Sequence, residues 1–197
     1  MENKHTGERA LSEAEGRLLL QLARQTIAAE LNIEDNPPPD FEAQMHASVF
    51  ATRRGTFVTL KKSGDLRGCI GSLTTHQSLS DNVRTNARNA AFRDPRFSPL
   101  AREEFDQVQI EVSVLSNPQK LDYTSAQELC DRLQPHVDGL VIRKGSASAT
   151  FLPQVWKQLE RPEDFLAHLC LKAGLKADAW RRADLEVETY RVQYFDE

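Results

Sequence analysis

Val108, Ile110, Val112 and Val114 alternate with Gln109, Glu111 and Ser113. Successive side chains of an extended chain point to opposite faces, so this period of two predicts a strand with one apolar and one polar face. Partners lie nearby in the chain. Residues 56–61 (TFVTLK) are rich in β-formers, and residues 66–73 have the length of a partner strand. Lys62-Ser63-Gly64-Asp65 between them reads as a hairpin turn. Residues 139–143 and 147–152 predict a second hairpin around Lys144-Gly145-Ser146. The last strand, 185–195, changes phase: Leu185 and Val187 share one parity, Tyr190, Val192 and Tyr194 the other. A β-bulge near Glu188 is the expected cause.

Helices fill the intervals. Ser12 and Glu15 have capping-box spacing, and Leu18, Leu19, Leu22, Ile27 and Leu31 follow at roughly helical spacing, which predicts a helix over 12–31. Residues 34–40 (EDNPPPD) end it, since three prolines lack amide donors and favour an extended spacer. A helix over 79–92 carries Leu79, Val83, Ala87, Ala90 and Ala91 on one side, and a short one covers 125–133. Pro162 opens another, with Glu163 and Asp164 in its first turn and Gly174 just past its end. Strands and helices do not alternate as βαβ units, and hairpins require antiparallel pairing. The class is therefore α+β: an antiparallel β-sheet flanked by helices. A chain of 197 residues, 40% of them hydrophobic, supports one core, with room for a smaller second lobe. Residues 1–197 read as one domain, with 1–33 a terminal helical region joined by the 34–40 linker.

Lys and Arg total 25 against 29 Asp and Glu, a net charge of -4, so no whole-chain footprint for nucleic acid is expected. No apolar run approaches the ~18 residues of a membrane helix, and the first 16 residues lack the apolar region of a secretory leader. Three scattered Cys make no disulfide framework, which points to a reducing cytoplasm. His5, His46, His76, His136 and His168 form no HxH or HExxH pattern, and CxxC, P-loop, Rossmann and GxSxG fingerprints are missing. Neither a metal nor a cofactor is implied.

The sharpest local feature is Arg67-Gly68-Cys69-Ile70-Gly71. Glycines inside a strand mark a bulge or a close approach by ligand or backbone. In a regular strand Arg67 and Cys69 share a face, and a neighbouring cation favours the nucleophilic thiolate. The other reading makes Cys69 a small buried hydrophobe with Arg67 over the sheet edge. Glu111 sits on the polar face of its strand and is either a general base near Cys69 or an exposed carboxylate. Between Arg84 and Arg102 lie five Arg and one acid, Asp94. That patch either meets a phosphate-bearing ligand or is a solvated helix face. Asp94 before Pro95 suits a turn in which the carboxylate holds an amide or an Arg.

The stretch FVTLKKSGDLRGCIGSL resembles the signature of the AMMECR family, named for a chromosomal region linked to Alport syndrome, midface hypoplasia, intellectual disability and elliptocytosis. Residues 90–99 (AAFRDPRFSP), 110–115, 139–142, 150–155 and 165–175 with Trp180 match further family segments in order. Ser72 stands where Thr is common. The resemblance implies an α+β domain with an antiparallel sheet and a smaller lobe. It also implies association with a Memo-like protein and a radical-SAM enzyme in a shared modification pathway, with no reaction assigned.

Two classes of function follow. In the first, Cys69 is catalytic with Glu111, Arg67 and the amides around Gly68 and Gly71 bind an anionic group, and Ile70, Asp94 and Arg96 complete the substrate site. In the second, the chain is a non-catalytic module for a small ligand, a protein or, against its charge, nucleic acid. Arg67, Cys69, Arg96 and Glu111 are expected around one pocket.

Overall fold

The computed structural model describes residues 9–73 and 76–197; His5 and the first half of the 16-residue leader region considered above lie outside them. In chain order the elements are α1 (Glu13–Glu30), α2 (Phe41–Met45), β1 (Thr56–Lys62), β2 (Asp65–Ser72), α3 (Leu79–Phe92), β3 (Val108–Leu115), β4 (Gln119–Lys120), α4 (Ala126–Arg132), β5 (Gly139–Lys144), β6 (Ala147–Phe151), α5 (Pro162–Lys172), β7 (Glu186–Tyr190) and β8 (Val192–Asp196). Both sheets are four-stranded, one ordered β2-β1-β3-β8, the other β4-β7-β5-β6. The strand pairs β1–β2, β1–β3, β4–β7, β5–β6 and β5–β7 are antiparallel, so the class is α+β. The chain divides into two compact units, residues 9–115 with Gln193–Glu197, and Ser116–Val192. Among the described residues no helix is long and apolar enough to cross a membrane.

In the first unit α1 starts at the expected capping box: the Glu15 amide donates to Ser12 Oγ (3.3 Å) and the Ser12 amide to Glu15 Oε2 (2.8 Å). It stops where Asn32 turns left-handed (φ 54°) and the Ile33 amide reaches back to the Ala28 carbonyl (2.9 Å). Leu19, Leu22, Ala23 and Ile27 of α1 and Val83, Ala87 and Ala90 of α3 are buried in one cluster with Val58, Leu60, Ile110 and Val112 of the sheet. Two buried amides fix α3 to the start of β1. Asn86 Nδ2 donates to the Thr56 carbonyl (3.1 Å) and hydroxyl (2.9 Å), and Asn82 Nδ2 to the Arg54 carbonyl (3.0 Å). Both helices thus cover one sheet face. The opposite face carries Phe57, Thr59 and Lys61 of β1, which pair with Gly71 and Cys69 of β2 and with Ser113, Glu111 and Gln109 of β3.

In the second unit Trp156 stacks on Phe165 (centroids 3.8 Å apart) among Leu140, Ile142 and Val187, and its indole donates to the Asp138 carbonyl (2.7 Å). The expected hairpin 139–152 and the helices at 125–133 and 162–174 are present. The phase change in the last strand has a different cause from the one expected. Glu188 pairs regularly with Val141, and the slip falls at Arg191, where the chain leaves one sheet as β7 and joins the other as β8. Inside-facing parity is set anew by the second sheet.

Candidate functional site

The β1–β2 register skips one residue. Leu60 opposes Gly68 and Lys61 opposes Leu66, so Arg67 is the extra residue of a β-bulge. The regular alternation that would set Arg67 beside Cys69 is broken there. Arg67 turns instead to Glu104, donating from Nε to Oε1 (3.1 Å) and from Nη2 to Oε2 (2.9 Å). Lys62 Nζ (3.0 Å) and the Ala101 amide (3.1 Å) bind the same carboxylate. Arg67 first, then that amide, hold the Glu104 carboxyl down to about 2. The expected cation–thiol pair is therefore not formed by Arg67.

Cys69 lies opposite Thr59, at the outer edge of the sheet, because β2 has a neighbour on one side only. An edge strand exposes amides and carbonyls that need partners. Here the segment after α3 supplies them. The Cys69 amide donates to Asp94 Oδ2 (2.9 Å), and Arg96 Nη2 donates to the Cys69 carbonyl (3.2 Å). Asp94 and Arg96 are locked to each other through Nε–Oδ1 (3.0 Å) and Nη2–Oδ2 (2.7 Å), and the Arg96 amide closes a turn onto Oδ1 (3.1 Å). One carboxylate and one guanidinium thus stand in for a neighbouring strand's carbonyl and amide. Asp94 is 2% exposed, yet the Arg96 bond, then the Cys69 and Arg96 amides, hold its carboxyl well below the usual carboxylate range against the cost of burial.

The glycines are filled rather than open. A Cβ on Gly68 would lie 2.2 Å from the Ala90 carbonyl oxygen of α3, so Gly68 serves helix-on-sheet contact. A Cβ on Gly71 would meet the Phe57 ring at 2.4 Å; the ring covers the glycine, as aromatic residues do beside glycine in sheets. Ile70 opposes Val58 and packs on the helix-side core. The close approach that the two glycines signalled is thus made by a helix backbone and a ring, and Ile70 is partly buried against that core.

Cys69 is half-buried, and the Thr59 hydroxyl donates to its Sγ at 3.3 Å. Glu111 does share this face, as its alternation implied, but Thr59 stands between it and Cys69. Two strand spacings separate them, about 10 Å. Lys61 Nζ holds Glu111 instead (2.9 Å). Across the sheet, burial first and Glu111 second push the Tyr194 phenol up.

Of the expected residues, Cys69, Asp94 and Arg96 meet directly. Arg67 is linked to them through Phe97, whose ring lies 5.9 Å from the Arg67 and 5.5 Å from the Arg96 guanidinium carbon. Glu111 belongs to a separate ion pair. Thr59, Glu104 and Phe97 escaped the sequence reading; their signals were an alternating threonine, an acidic pair and the motif's own phenylalanine. Three of the five arginines of the patch pair with acids: Arg84 with Asp81 (3.3 Å), Arg88 with Glu30 (2.6 Å) and Arg96 with Asp94. No group of three or more His, Cys, Asp or Glu among the described residues is placed to hold a metal ion. In the second unit, Cys130 is half-buried, packs against the core and borders a cleft of about 470 Å³ with Arg161, Glu163, Asp178 and Trp180; burial first, then Glu163, push its thiol up.

A model of the AMMECR1 family matches residues 20–195. A Methanosarcina barkeri protein is 39% identical over 188 residues, covering 95% of this chain and 92% of its own. A Methanothermobacter thermautotrophicus protein is 39% identical over 190 residues, covering 95% and 96%. The crystal structure of an uncharacterized Pyrococcus horikoshii protein is similar at TM-score 0.77 and 33% identity, covering 95% and 93%.

Proposed function

Since the chain belongs to the AMMECR1 family, we propose that it is a component of a modification pathway shared with Memo-like and radical-SAM proteins, acting through the β2 edge built on the RGCIG motif. The observation that carries this reading is the clamp. A buried carboxylate and its arginine are both spent on the peptide unit of one residue, Cys69, whose side chain remains partly accessible on the face opposite the helices. An edge that only needed protection is served by a charge, a proline or a bulge. Fixing the backbone at the thiol positions that thiol for something that meets it. The alternative, a non-catalytic binding module, is favoured by one specific contact: Arg67, the cation expected to support a thiolate, is held by Glu104.

Binding between the purified chain and Memo-like and radical-SAM proteins of the same source tests the reading. Saturable binding to either is expected. It should weaken about tenfold or more with Lys61→Glu, which reverses a half-exposed charge on the Cys69 face, and with Cys69→Phe, which adds bulk there. Absence of binding to both proteins, or binding indifferent to both substitutions in folded variants, would refute it.

A further inference from the structure

Arg67 and Arg96 are used in the same way. Each gives its Nε and Nη2 edge to a fixed carboxylate, Glu104 or Asp94, and each lies beside the ring of Phe97. Neither Nη1 is committed to a protein group among the described residues, and that of Arg67 is buried. The two differ in access: the Arg96 side chain is 54% exposed, that of Arg67 12%. A guanidinium fixed along one edge is a pre-organised donor along the other, because little further side-chain entropy is lost when a ligand arrives.

We propose that the ligand of the β2 edge carries an oxyanion, carboxylate or phosphate, bound by Arg96 at the solvent side of the Asp94 clamp, next to Cys69. This deepens the reading above and rests on it for the place of the site. It moves the anion contact from Arg67 and the glycine amides, expected from the sequence, to Arg96. Two features favour an anion there. Three cations, Arg67, Arg96 and Lys62, share two carboxylates, Glu104 and Asp94, around the clamp. Arg96 also joins the ligand to Cys69 mechanically, since the same guanidinium donates to the Cys69 carbonyl. Asp94 offsets most of the Arg96 charge, so a bare anion should bind weakly and lose affinity with added salt.

The test is a titration of the isotope-labelled whole chain with inorganic phosphate and, separately, acetate, followed by NMR at the Arg96 Nε–H and the Cys69 amide. Saturable shifts at both groups are expected with at least one probe. Phosphate alone would identify a phosphoryl ligand, and acetate alone a carboxylate. Arg96→Lys keeps a charge on Asp94 but removes the fork, and should weaken binding about tenfold, the effect of one charge-assisted hydrogen bond. Arg84→Gln, which removes an exposed arginine paired with Asp81 elsewhere on α3, should bind as the unaltered chain does, and because the titration uses no partner protein its failure is read separately from that of the partner-binding experiment. The proposal is overturned if neither anion gives saturable shifts at these two groups, if the shifts map elsewhere, or if folded Arg96→Lys binds unchanged.

Discussion

Replacing Gly68 by alanine separates the two reasons a strand can keep a glycine. The added Cβ would sit 2.2 Å from the Ala90 carbonyl oxygen and 3.1 Å from its carbonyl carbon. Both atoms are helix backbone, so no flexible side chain can yield. A carbon meets a carbonyl oxygen comfortably at about 3.3 Å, so β2 and α3 must separate locally by about 1 Å. That loosens a close-packed contact in which Ala87, Ala90 and Ala91 are all buried. Overpacking of this kind costs about 1–3 kcal/mol. The lower chain entropy of unfolded alanine returns about 0.4–1 kcal/mol. A net loss of about 1–2 kcal/mol is expected, a fall of roughly 0.5–1 M in the urea midpoint for a typical slope of about 2 kcal/mol per M. Far-UV circular dichroism against urea measures it. Gly145→Ala is a control with a different mechanism: nothing lies within 4 Å of its Cβ, and only the φ of +59° is strained. If Gly68→Ala leaves the midpoint unchanged while partner or ligand binding disappears, the glycine is kept for a ligand and the packing argument is wrong.

Three other expectations follow from the same contacts. Acid should weaken the fold through Glu104. Its folded pKa, lowered to about 2, lies below the ordinary ~4.3, so its contribution is complete above that value and is lost as pH falls towards 2. Glu104→Gln should flatten the dependence of the urea midpoint on pH in that window, and an unchanged slope would exclude the pair as its source. Cys69→Ser should alter stability by less than about 1 kcal/mol, because the thiol is half-buried and its volume is nearly kept; a loss typical of core truncation would place Cys69 in the core. Ser12→Ala should cost about 1 kcal/mol by removing the α1 cap, read as a lower thermal midpoint, and an unchanged midpoint would mean that α1 is held by packing alone.

What the sequence disclosed was local. The α1 capping box, the Ser63-Gly64 turn with both residues at positive φ, and the alternation of β3 each depend on residues a few positions apart. Asp94 was readable as a turn residue that would hold an amide or an arginine, and it holds both. The placement of Arg67 was not readable, because a bulge is a property of two strands in register, and one extra residue turns a side chain to another neighbour. The same limit hid the change of sheet at Arg191, where two apolar parities looked like one strand with a fault. Gly68 and Gly71 were ambiguous in principle. A missing side chain signals close approach without saying whether a helix, a ring or a ligand approaches. Glu111 was placed on the correct face but two strands from the thiol, a distance that only strand order reveals.

Cys69, clamped at the β2 edge and partly accessible, is the thiol that the fold presents. Alkylation of the native chain with a small electrophile, followed over pH with peptide mapping of Cys69, Cys130 and Cys170, tests this directly. Cys170 is fully buried and Cys130 half-buried, and burial pushes both thiols up. Cys69 is therefore expected to react first at neutral pH, Cys130 more slowly, and Cys170 only after urea unfolds its unit. A Cys69 rate above that of a free thiol would support catalysis, and a rate near it the binding module. Protection of Cys69 to the level of Cys170 in the native chain would contradict the account, since the clamp would then hold a buried strand and present nothing.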